Sequence, residues 1–182
     1  MSETATTQSP TGPSHEVDPW RFTGKFLRGI LEGQIPNKPT HGPIPWAPVA
    51  KSLSECNVAL LTSAGLSMKG DEPFDMEGER KRPSWGDPSW RKLSADATAD
   101  SIEANHLHID TGYLKQDLNV ALPLEHLRAL AADGRIGSVA GTHYSTMGFQ
   151  GASSKVLEDE SAPAIAQAMI QDHVDLVILA PV

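Results

Sequence analysis

The closing segment, Val174-Asp175-Leu176-Val177-Ile178-Leu179-Ala180-Pro181-Val182, constrains the fold more than any other part of the chain. It is far shorter than the ~20 apolar residues a membrane span needs, and it has the size of a β-strand buried on both faces. Just before it, Ala162 to His173 sets Ile165, Ala168, Met169 and His173 on one face of an amphipathic helix. A second apolar run, Asn57 to Ser63, ends in Ala64-Gly65, the pattern of a buried strand followed by a turn. Helix-then-strand order with doubly apolar strands predicts an α/β fold of the three-layer, parallel-sheet type. The C-terminal edge of such a sheet is where ligands usually bind.

Between these runs, Pro123 followed by Leu124, Leu127, Leu130 and Ala131 and then Asp133-Gly134 predicts a helix with proline at its start and glycine past its end. Ile136 to Gly141 reads as a turn or short strand. Ser67 to Leu93 is polar and broken by glycines and prolines, and Phe74, Trp85 and Trp90 favour a packed loop over a floppy one. Residues 1–18 read as a disordered tail, 19–48 as a helix and a proline-rich strap, and 49–182 as the α/β domain. The helix starts at Asp18-Pro19-Trp20 and carries Trp20, Phe26, Leu27, Ile30 and Leu31 as an apolar stripe; the strap lays Trp46 on the body of the domain.

Composition excludes several classes of function. The 182 residues suit a single domain. Acidic residues outnumber basic ones 23 to 15 with no basic block, which argues against nucleic acid as a partner. With no basic start and no hydrophobic segment near Met1, the N-terminus is not a secretory signal, and the expected location is cytoplasmic, away from any membrane. The single cysteine, Cys56, rules out a disulfide or a multi-cysteine metal site within the chain. Cys56 starts its strand at the end opposite the expected ligand edge, so a buried structural thiol is expected. No glycine pattern for a nucleotide phosphate is present.

Two segments can carry chemistry. On a strand, His106, His108 and Asp110 would share one face. They can hold a polar substrate or relay a proton, bind a divalent metal with help from His143 or Asp117, or form a plain polar edge. The metal reading matches no recognised zinc spacing, and no metal is expected. Gly141-Thr142-His143-Tyr144-Ser145-Thr146-Met147-Gly148 reads as a site loop in which His143 and Tyr144 supply a proton or an oxyanion contact; the alternative is a turn whose side chains satisfy nearby backbone. His126 is expected to be solvated.

The run Cys56 to Gly65, Asp87-Pro88-Ser89-Trp90-Arg91, His106 to Asp110, Asp117 to Arg128, His143 to Gly148 and the closing Val174 to Val182 occur in an order similar to the glycine/sarcosine/betaine reductase selenoprotein B family, which includes D-proline reductase subunits. That resemblance implies reductive cleavage of a C–N bond in a small amino-acid-like substrate, with a selenocysteine or cysteine nucleophile and a dithiol electron donor. It implies that Sec or Cys stands just after Val182, that this chain alone is inactive, and that the fold is incomplete at its C-terminus. A pyruvoyl group is implied only in a partner subunit, and other reductase subunits are the expected partners. His108, Asp110, His143 and Tyr144 fall in the matching segments as candidate substrate or proton-transfer groups. A non-catalytic ligand-binding or partner subunit is the competing expectation, and a metal-dependent hydrolase a third.

Overall fold

The computed structural model describes residues 20–34, 47–107 and 109–182, with the side chains of 31–34 excepted. The expected tail, the proline-rich strap with Trp46, and His108 lie outside the described residues. The chain divides into two units, Met1–Trp46 and Ala47–Val182. In the first, helix α1 (Lys25–Gln34) starts later than the sequence predicts and leaves Phe22, Phe26, Leu27 and Ile30 exposed.

The second unit is α/β. Its strands are β1 (Asn57–Thr62), β2 (Leu66–Met68), β3 (Trp90–Ser94), β4 (Ile102–Ala104), β5 (Ser138–Val139), β6 (Thr142–Thr146) and β7 (Leu176–Ala180). The helices are α2 (Met76–Lys81), α3 (Thr111–Gln116), α4 (Leu124–Ala132), α5 (Ser154–Val156) and α6 (Ala162–Gln171), with a π-helical stretch, Leu157–Ser161, leading into α6. β1 is the axis of the main sheet. β7 pairs in parallel along one edge, from Val58↔Leu176 to Thr62↔Ala180. β5 and β6 share the other edge in succession, at Asn57↔Ser138 and Leu61↔Tyr144, also in parallel. β3 closes the far side antiparallel to β6, so the sheet is mostly rather than wholly parallel. An antiparallel edge strand on a parallel sheet is a common arrangement. β2 and β4 form a separate antiparallel pair.

Alternation along β1 builds the two sides of the core. Val58 and Leu60 pack with Leu114, Leu122, Leu124 and Leu127, the apolar face of α3 and α4 and the turn between them. Leu61 packs with Tyr144, Ile165, Ala168 and Met169, which brings α6 over the opposite face. This is the three-layer arrangement the apolar runs predict. Buried Cys56 donates its thiol to the Ser52 carbonyl at 3.3 Å, a structural role.

Two sequence expectations change. Residues 142–146, read as part of a loop, form the strand between β1 and β3, with Tyr144 on one face and His143 and Ser145 on the other, all three buried. The described residues of the run 105–110 lie outside any strand: β4 stops at Ala104, and Asp110 caps α3 by accepting the Gly112 N–H at 2.8 Å. His106 and Asp110 therefore do not share a strand face.

The long segment after β2 is packed, as its aromatics predict. Phe74 is buried beneath the Arg91 guanidinium, 4.4 Å from its ring. Arg91 in turn donates to the Glu72 carbonyl at 2.6 Å and the Pro73 carbonyl at 2.9 Å. Asp87 accepts from the Asp75 and Ser89 backbone N–H groups, both at 2.8 Å. Burial opposes its ionisation, yet these bonds and the Ser89 hydroxyl outweigh it and hold the carboxyl below its ordinary value.

Candidate functional site

The strands β1, β6 and β7 run in parallel, so their C-terminal ends lie along one edge. At that edge the chain is tied together by Ser63. Its backbone N–H donates to the Ala180 carbonyl at 3.2 Å, and its hydroxyl oxygen accepts the Val182 N–H at 2.9 Å. Gly148, arriving from β6, fits against both: a side-chain carbon there would stand 3.2 Å from the Ser63 and the Val182 carbonyl oxygens. The turn after β1 depends on Gly65, whose φ of 61° is in the left-handed region and whose missing side chain leaves room for the Asn105 carbonyl and the Met147 sulfur. Its N–H donates to the Thr146 carbonyl at 3.0 Å, and its carbonyl accepts from Asn105 N–H at 2.8 Å.

Beside this edge is a cavity of about 290 Å³ lined by Ile109, Asp110, Tyr113, Leu114, Val120 and Val182. Asp110 is exposed, and the Tyr113 ring is 64% exposed. One carboxylate and one aromatic ring among apolar walls is a composition suited to a small cation or amine.

The other sequence-predicted residues lie elsewhere. His143 is fully buried in the sheet, where its Nδ1 accepts the Leu60 N–H at 3.0 Å. The imidazole thus takes the place of a ladder carbonyl where the partner of β1 passes from β5 to β6. Among the described residues its Nε2 has no partner. Burial, with the Arg128 charge adding to it, pushes His143 down to about 4. Tyr144 points to the opposite face, packs at a 45° tilt against Trp90 with ring centroids 5.9 Å apart, and donates its hydroxyl to Asp172 at 2.8 Å. Burial first, then the Asp172 carboxylate, holds the phenol well above its ordinary value. His143 and Tyr144 are neighbours in sequence separated by the sheet, and of the described candidates only Asp110 lines the edge cavity. His126 is exposed, as expected. Among the described residues no group of three His, Cys, Asp or Glu side chains converges in a way that would hold a metal ion.

Sequence reasoning passes over Ser63 and Tyr113. The signal for Ser63 is positional, since it is the first residue past a buried parallel strand. Tyr113 carries none, because one aromatic on a six-residue helix has no periodicity to betray its direction.

A mostly parallel α/β sheet with a lined cavity at its strand ends is the arrangement in which such folds commonly bind small molecules. The family model for glycine/sarcosine/betaine reductase selenoprotein B (GRDB) matches residues 33–182. The chain belongs to that family. It is 33% identical over 141 residues to the D-proline reductase subunit gamma of Acetoanaerobium sticklandii, covering 78% of this chain and 54% of that one. It is also 33% identical over 141 residues to the glycine reductase complex component B subunit gamma of Carboxydothermus hydrogenoformans, and 30% identical to that of Symbiobacterium thermophilum. These matches cover 31% and 32% of the relatives' lengths, so the chain spans about half or less of the curated relatives. No solved structure matches the chain closely. Among the described residues no helix is long and apolar enough to cross a membrane.

Proposed function

We propose that this chain forms the sheet edge of a thiol- or selenol-dependent reductase that cleaves the C–N bond of a small amino-acid-like substrate, in concert with other reductase subunits. The observation that carries the reading is the anchoring of Val182 to Ser63 beside the cavity of Asp110 and Tyr113. The reading puts Sec or Cys in the position after Val182, at the mouth of that cavity, where a parallel sheet presents its reactive groups. Asp110 pairs with the substrate's ammonium group, and the Tyr113 ring lies against it. His108 keeps its expected part in proton transfer on the strength of the family resemblance alone, while His143 and Tyr144, both buried, hold β6 in the sheet.

In the net reaction a dithiol is oxidised to a disulfide and supplies two electrons and two protons. The C–N bond breaks, a C–H bond takes its place and the amine leaves protonated. A dithiol donor requires a reducing compartment, which places the reaction in the cytoplasm.

The test uses the gene product purified from its source organism, with dithiothreitol as donor and glycine, sarcosine, betaine and D-proline as substrates. Dithiol-dependent amine release or proline ring opening, with Sec or Cys found after Val182, is the expected result. Asp110→Asn should then lower kcat/KM by about 100-fold. Binding of these compounds without any turnover would replace this reading with a ligand-binding subunit.

A further inference from the structure

We propose that the outer edge of β7 is a docking surface for one further apolar β-strand, supplied by the stretch of polypeptide by which the relatives exceed the matched region. The inference rests on family membership and not on the reductase reaction.

β7 has the chemistry of an interior strand and the surroundings of an edge. All five of its residues are apolar, Leu176-Val177-Ile178-Leu179-Ala180. Leu176 packs into the core beneath α3 and α4, while Val177 turns to the α6 side. A strand apolar on both faces belongs inside a covered parallel sheet. Yet among the described residues only β1 pairs with it, Ile178 is 39% exposed and Leu179 65%. Within its span β7 also carries no lysine, no proline and no bulge, the features that protect true edges from pairing.

The layer above it is open in the same direction. α6 packs over Tyr144 and Leu61 but leaves an apolar groove of about 280 Å³ walled by Leu61, Ile165, Ala166, Met169 and Val177. An added strand beside β7, with the segment connecting to it, would continue both the sheet and the apolar layer beneath α6.

Two observations select the occupant. The match covers 54% of one relative and 31% of another, so related proteins possess ample chain to supply a strand. A second copy of this chain is disfavoured, because each carries a formal net charge of −8 and apposing two would add repulsion.

Hydrogen exchange read by mass spectrometry tests the proposal on two samples, the 182-residue chain and the gene product purified from its source organism. The expected result is that β7 amides facing away from β1 exchange at least about tenfold more slowly in the native product. Leu179→Lys should leave the melting temperature of the 182-residue chain nearly unchanged, or restore its solubility if it precipitates, and should lower that of the native product. Equal exchange in the two samples overturns the proposal. So does protection in the 182-residue chain that grows with concentration as a dimer forms, which would assign the edge to a second copy. Loss of β7 protection is read independently of turnover, so an inactive protein with a covered β7 would reject the reductase reading and leave this one standing.

Discussion

His143 sits where a backbone carbonyl would otherwise be, accepting the Leu60 N–H through Nδ1 inside the sheet. That bond requires the neutral ring, because a protonated imidazole has no acceptor to offer. The folded value of about 4 lies below the unfolded value near 6.5, so the stabilisation is complete above the unfolded value and is lost as pH falls toward the folded one. Denaturant unfolding across that window should show about 3 kcal/mol of acid destabilisation from this group. His143→Leu should abolish its share of the pH dependence and cost about 2 kcal/mol at neutral pH by orphaning the Leu60 N–H. On the other face of β6, Tyr144→Phe should cost about 1 kcal/mol, since it removes one hydrogen bond to Asp172 and keeps the tilted ring contact with Trp90. The sequence marks both residues as special without saying how. A histidine between glycines reads equally well as a site loop or as a buried acceptor, and the choice is made by β1, more than eighty positions away.

Among the elements, β1, β7, α4 and α6 are legible from apolar periodicity and from the proline and glycine at the ends of α4. β6 is not, because its alternation of Thr, Tyr and Ser is polar on paper and becomes interior only when β1 and β3 flank it. The run before α3 misleads in the opposite way: alternating His-Leu-His-Ile-Asp suggests a strand, but β4 ends at Ala104 and one carboxylate oxygen of Asp110 caps α3. The turn joining β1 to β2 gives the sharpest prediction at this scale. Gly65→Ala introduces a side chain at a φ of 61° and drives it to within 2.6 Å of the Asn105 carbonyl. A loss of at least about 2 kcal/mol in equilibrium unfolding is expected, with Gly70→Ala, strained by its φ of 91° but free of any clash, as the milder comparison. Asp87→Asn should weaken the packed segment after β2 by about 1–3 kcal/mol, seen as faster proteolysis between Ser67 and Trp90.

At the scale of the whole molecule, the α/β class and the family follow from the order of short motifs, whereas the location of the cavity does not. Asp110 and Val182 meet at one cavity because β7 ends beside β1 and the turn after β1 is tied through Gly65 and Asn105 to the segment that leads into α3, a fact of topology rather than of any local pattern. The same topology has a consequence for synthesis. The bond from Asn57 to Asp175, where β7 enters the sheet beside β1, spans 118 positions. A ribosome adding roughly 5–20 residues each second would deliver β7 about 6–24 s after β1. For that interval the side of β1 that β7 will occupy has left the exit tunnel without its strand partner, even once β5 and β6 are in place on the other side. The nascent chain should therefore be a client of hydrophobic-segment chaperones, with their footprint centred on β1 and released once β7 has emerged.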